Sequence, residues 1–197
     1  MADTGAPHFI PFADPTDLVR DWPALSEDVA DAVAAGLDAA GGLVAVKSAI
    51  FTGTQTASVT AGNNVAVTDL TITHEVADAS NKLVILAMLG VAANSALRGQ
   101  TSLAVHDGTN LIGAGAVASN RTSLTAGGTP SSGTGNFVAI GRAATFVHTP
   151  GAGSKTYTVR AVNQSQFTNT VFVNRNEADT DNGDSPRGAS SLVIMEV

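Results

Sequence analysis

From residue 44 onward the chain alternates apolar and polar side chains with a period of two, in stretches divided by turn-forming residues. The stretches are "VAVKSAIFT" (44–52), "NVAVTDLTITHEV" (64–76), "KLVILAMLGV" (82–91), "SLAVHDGTNLIGAG" (102–115), "FVAIGRAATFVHT" (137–149), "KTYTVRAVN" (155–163), "NTVFVNR" (169–175) and "SSLVIMEV" (190–197). A strand turns successive side chains to opposite faces, so this period selects half-buried strands over helices. About eight or nine strands in roughly 150 residues is the count of a two-sheet antiparallel sandwich with a jelly-roll-like architecture. Asp107-Gly108 marks the clearest hairpin, because that pair tolerates the positive φ of a tight turn; "TAGNN" (60–64) and "PGAGS" (150–154) mark further turns. In "VAVTDLTIT" the apolar phase slips from Val65 and Val67 to Leu70 and Ile72, which predicts a bulge or bend near Asp69.

Two stretches carry more than a fold signal. In "KLVILAMLGV" and "SSLVIMEV" residues of both parities are apolar, whereas one face of a sandwich strand is normally wet. Such strands need cover on both sides. A neighbouring subunit is the expected cover, with Leu83, Ile85, Leu192 and Ile194 as the subunit-facing positions; an arm or long loop of the same chain is the alternative.

The first 42 residues follow a different rule. Pro7, Pro11 and Pro15 with Phe9, Ile10 and Phe12 between them forbid regular helix and favour an extended arm that needs a groove elsewhere to bury its aromatics. Ser26 is a good N-cap, Glu27 and Asp28 suit a first turn, and Gly41-Gly42 supply a stop, which predicts a helix over about 26–40. Leu25, Val29, Val33 and Leu37 recur every four residues and give it one narrow apolar stripe. Trp22 either staples the first helical turn or anchors in a docking pocket beside Phe9, Ile10 and Phe12. The expected organisation is an attachment arm and helix over 1–42 and a sandwich module over 43–197.

Charge and composition narrow the function classes. A formal net charge of −7, from 17 acidic against 10 basic residues, argues against nucleic acid or an anionic membrane as the partner. Cys is absent, which excludes disulfides and thiolate metal sites. The N-terminus lacks the basic start and apolar run of a secretory signal, and "LVILAMLGVAA" is far short of the roughly 20 residues a bilayer span needs, so no membrane insertion is expected.

The candidate chemical motifs fall short of their requirements. "PGAGSKT" (150–156) has Ser154 before Lys155 and a strand after it, where a phosphate-binding loop needs Gly and a helix. "DTDNGD" (179–184) begins like a calcium loop, but its Gly-Asp order is reversed and Ser190 stands where the bidentate Glu belongs. His8, His74, His106 and His148 are scattered and read as surface or turn residues. With no nucleophile elbow and no paired carboxylates on strands, an enzyme is not expected, nor is a cofactor. The loops "ASNRTSLTAGGTPSSGTGN" (118–136) and "NEADTDNGDSPRGA" (176–189) are long enough to be functional, and the first, with Asn120, Arg121 and Asn136, is the candidate receptor loop.

The segment "PFADPTDLVRDWPALSEDVADAVAAGLDAAG" resembles the N-terminal end of tail-fibre-like minor tail proteins of long-tailed phages, particularly those infecting actinobacteria, where a Pro-Thr-Asp segment leads into a short helix and a β-rich body. The body, with "GNNVAVTDLTITHEVADASNKLVI", "AVHDGTN" and "GASSLVIMEV", is similar to small jelly-roll-like modules of phage appendages. The resemblance implies a homotrimeric virion component made in the host cytoplasm. It is attached to other virion proteins through its arm, and its β-module meets a host cell-surface glycan by non-covalent binding. A capsid decoration or head-fibre protein is the alternative, and a soluble carbohydrate-binding jelly roll a further one.

Overall fold

Segments with one apolar face must pair edge to edge and then stack face to face, and the order of pairing settles the architecture. The computed structural model describes residues 42–93, 100–116, 123–127, 140–178 and 187–197. The predicted arm and helix, with Phe9, Ile10, Phe12, Trp22, Leu25, Val29, Val33 and Leu37, lie outside the described residues, as do Asn120, Arg121, Asn136 and the run 179–184. The chain divides into residues 45–196 and a second unit of residues 1–44 with Val197.

Ten strands form among the described residues: β1 (Ala45–Phe51), β2 (Gln55–Val59), β3 (Asn64–Val76), β4 (Leu83–Ala93), β5 (Thr101–Asp107), β6 (Asn110–Ile112), β7 (Ile140–His148), β8 (Gly153–Asn163), β9 (Asn169–Val173) and β10 (Ser190–Glu196). They make two antiparallel sheets. The first runs β1-β10-β4-β9-β2, with β7 also paired to β4, and the second runs β3-β8-β5-β6. On β4, β10 pairs with Leu83–Met88 and β9 with Val91–Ala93, while β7 takes the other edge from Leu83 to Val91. β1 lies on β10 and β2 on β9, so β1 and β2 are halves of one strand line, and β9 and β10 are halves of another.

Counted as lines, eight strands pair in a nest: first with eighth, β3 with β8, β4 with β7, and β5 with β6. That is the jelly roll, a long hairpin of four nested pairs rolled into two facing sheets. The expected two-sheet, jelly-roll-like sandwich is therefore what the chain forms. β2 is a strand the alternation does not announce, because "QTASV" is short and its inward residues, Ala57 and Val59, are small.

The turns and the phase slip fall where the sequence places them. β5 and β6 close through Gly108 and Thr109, with Asp107 paired to Asn110 and Gly108 at φ 58°. On β3 the register with β8 breaks between Ala66 and Thr71, and Asp69 takes φ 61°. The break lets Val67 and Leu70 both point inward across two intervening residues. Gln55 of β2 stitches the bulge to the other sheet, its Nε2 donating to Ala66 O at 2.9 Å and its Oε1 accepting from the Thr68 amide at 2.8 Å.

The core fills with the inward parity of each strand: Leu70 and Ile72 of β3, Leu83, Ile85 and Leu89 of β4, Leu103 and Val105 of β5, Tyr157 and Val159 of β8, and Leu192 and Ile194 of β10. Where the strand lines break, a buried asparagine takes over the sheet's hydrogen bonds. Asn174, at φ 57°, donates from Nδ2 to the carbonyls of Phe51 (2.8 Å) and Gly53 (3.0 Å), and its Oδ1 accepts from the Ser190 hydroxyl (2.6 Å). The Gly90 amide donates to that same hydroxyl oxygen, and the Asn174 amide donates to Gly90 O. One residue thus joins the ends of β1, β9 and β10 to Gly90 within β4, and leaves no orphaned group of its own.

Candidate interaction surfaces

A sheet's outward face normally carries the polar half of each alternation. On the first sheet it does not. Reading across β1, β10, β4 and β7, the register aligns Val46, Met195, Val84 and Val147 in one row, Ser48, Val193, Leu86 and Thr145 in the next, and Ile50, Ser191, Met88 and Ala143 in a third. Nine of these twelve side chains are apolar and none is charged. Val147 is 61% exposed, Ile50 63% and Met88 47%, so the apolar parity is in water rather than folded away. Four strands by six residues span about 19 Å by about 20 Å, a plane of roughly 400 Å². That is the size of the largest patch a soluble monomer usually tolerates, and such patches mark interaction sites.

The residues expected to face a subunit are a correction. Leu83, Ile85, Leu192 and Ile194 are fully buried inside the sandwich. The opposite parity, Val84, Leu86, Met88, Val193 and Met195, forms the outer face. Period two divides each strand into two faces, and the second sheet covers the parity that Leu83 and Leu192 share. The expectation of two apolar faces stands, and the parity expected to meet a subunit is the core.

A second surface feature is a polar latch at the end of the interior. Glu196, on the inward parity of β10, is 1% exposed. Its Oε2 lies 2.7 Å from His74 Nε2, and its Oε1 accepts from the Ala77 amide (2.9 Å) and Asn81 Nδ2 (2.7 Å). Burial pushes its carboxyl pKa up, but the bonds from Asn81, Ala77 and His74, with the His74 charge, outweigh burial and hold it below the usual carboxylate range. His74 is thus a buried latch residue and not the surface histidine the sequence reading expects. The signal was present: Leu70, Ile72, His74 and Val76 share one parity, and a strand cannot turn one of them outward alone.

Beside it, His148 Nε2 lies 3.4 Å from Asp107 Oδ2, and its ring meets Tyr157 edge-on with centroids 6.0 Å apart. Burial first, and Asp107 second, push the Tyr157 hydroxyl above its usual range, so it stays neutral. His106, on the outer face of the second sheet, has its pKa lowered by burial and by Arg160 against the opposing bond to Thr109 O. That face is otherwise threonine-rich, with Thr71 paired to Thr158 (3.1 Å) and Thr73 to Thr156 (3.0 Å). Among the described residues no group of three or more His, Asp or Glu side chains is placed to hold a metal ion.

"PGAGS" forms the turn between β7 and β8, with Gly151 and Gly153 at positive φ, which fits the hairpin-turn reading of that stretch over a phosphate loop. Part of the long polar loop is described: Ala126 exchanges two 3.0 Å backbone bonds with Leu103, and Thr125 Oγ1 bridges the Val105 amide and Ile112 O. No model of a known protein family matches the chain, and no curated protein matches it either.

Proposed function

We propose that this chain is a structural protein of a phage virion, a trimeric tail-fibre or minor tail module that attaches to the host surface by non-covalent binding. The observation that carries the reading is the uncharged patch that β1, β10, β4 and β7 present on the outer face of the first sheet. The chain's net charge of −7 resides in residues 1–42, and the module 43–197, with nine acidic and nine basic side chains, keeps about 400 Å² of one face clear of all of them, as a face to be buried would be. Three copies turning it toward a common axis cover it with like chemistry, and no charge opposes their approach. Residues 1–42, read from their sequence as an attachment segment, then join the assembly to other virion proteins. By fold-level analogy alone, jelly rolls serve both viral shells and lectins, which fits the same reading.

Light scattering of the full chain is the test. A trimer has a mass of about 60 kDa, three times the chain's 19.8 kDa. Placing Glu at both Leu86 and Val147 sets six charges in the contact and yields a monomer with unchanged circular dichroism. A stable wild-type monomer at micromolar concentration overturns the assembly. Immunogold labelling of particles decides location: gold on the tail supports the reading, and gold on the head replaces it with a capsid decoration protein.

A further inference from the structure

At one end of the sandwich the turn Thr60–Asn63 and the connection from Asn163 to Asn169 are knit together by one buried residue, Asn163, through its backbone and its side chain. Asn163 Nδ2 donates to Val59 O and to Phe167 O, both at 2.8 Å, and its Oδ1 accepts from the Ser165 amide at 3.0 Å. Its backbone amide donates to Asn63 O at 2.9 Å, and its carbonyl accepts from the Gly62 amide at 3.0 Å. Ser165 Oγ donates to Phe167 O at 2.6 Å, and the Ser102 hydroxyl holds Gln164 Oε1. Every turn of this connection is braced, yet Phe167 at its tip is 58% exposed. Gln166, Thr168, Thr60, Ala61 and Asn63 are exposed with it. Neither 60–64 nor 163–169 contains a charged residue.

We propose that this end of the sandwich binds a neutral saccharide, with Phe167 as the platform for the sugar ring. A pyranose presents an apolar C–H face and a rim of hydroxyls that each donate and accept. An aromatic ring matches the first, and neutral amide and hydroxyl side chains match the second. Gln166 and Thr168, the exposed chain neighbours of Phe167, supply an amide and a hydroxyl, both neutral. A protein partner would need a far wider apolar contact than one ring, and a charged ligand would need countercharge that these segments lack. The braced backbone means that little order has to be created on binding. The site takes from the host-attachment reading only the source of the sugar, a host-surface glycan; the binding itself stands without it.

The test uses the ¹⁵N-labelled full chain, titrated with glucose, galactose, mannose and N-acetylglucosamine to about 50 mM, and with hexameric oligosaccharides of each. At least one probe gives saturable shifts confined to the amides of 61–63 and 164–168. Phe167→Ala weakens that binding at least about tenfold with the sheet resonances unmoved, and Phe167→Tyr retains it. No shift with any probe, shifts elsewhere on the molecule, or undiminished binding by Phe167→Ala overturns the proposal. Sugar binding in a protein that immunogold does not find on particles removes the virion reading and leaves the site. Labelled particles with no sugar binding do the reverse.

Discussion

Replacing Glu196 tests the latch and its pH dependence together. Three donors converge on this carboxylate at 2.7, 2.9 and 2.7 Å inside a site that water does not reach. Glu196→Ala removes the acceptor from all three and leaves a buried imidazole nitrogen, a backbone amide and an amide side chain orphaned. Breaking a buried pair costs about 3–5 kcal/mol, so a loss of about 4 kcal/mol is expected. For a domain of this size it lowers Tm by about 8–16 °C. Glu196→Gln keeps the shape and an acceptor, and loses less.

The two variants separate by pH. The folded carboxyl titrates below its unfolded range, so its stabilisation is fully present above the unfolded value of about 4.3 and is lost as pH falls through the folded pKa. Urea titrations of wild type and Glu196→Gln between neutral pH and strong acid read the difference. Between the two pKa values wild type loses stability more steeply, by up to about 1.4 kcal/mol per pH unit. Parallel pH profiles, or a loss below about 1 kcal/mol in Glu196→Ala, would refute the latch.

Two other side chains give sharp expectations. Asn174→Ala strips three side-chain bonds from the junction of four strands and leaves an alanine at φ 57°, at a cost of about 3–4 kcal/mol by urea denaturation. Asn174→Gly relieves the φ and recovers about 1 kcal/mol of it, and equal losses would show that the φ is not strained. Asn169 is buried at 2% exposure with neither amide atom bonded, so Asn169→Leu is expected to stabilise by about 1–2 kcal/mol; a fall in Tm would mean that the amide is satisfied in solution.

How far the sequence reached can be followed strand by strand. β3 was legible to its ends, including the slip at Asp69, because a long strand with one wet face writes its register into its alternation. β2 was not, because a five-residue edge segment with small inward residues carries too little apolar contrast. On β10, Glu196 shares a parity with Leu192 and Ile194, and a lone carboxylate there points the eye toward solvent. Its partners, His74, Ala77 and Asn81, lie more than 100 residues away along the chain. Only the rolled hairpin brings them together.

By itself, then, the sequence determined that this chain folds as paired strands in two layers, where its turns fall, and that β4 and β10 are apolar on both faces. Those properties are local, set by a period of two and by residues that tolerate positive φ. The tertiary structure decided which apolar face is core and which is surface. It also decided that a histidine and a glutamate form an internal latch, and that a braced loop holds Phe167 in water. These depend on nested pairing between segments far apart in the chain, and no window of sequence contains both partners.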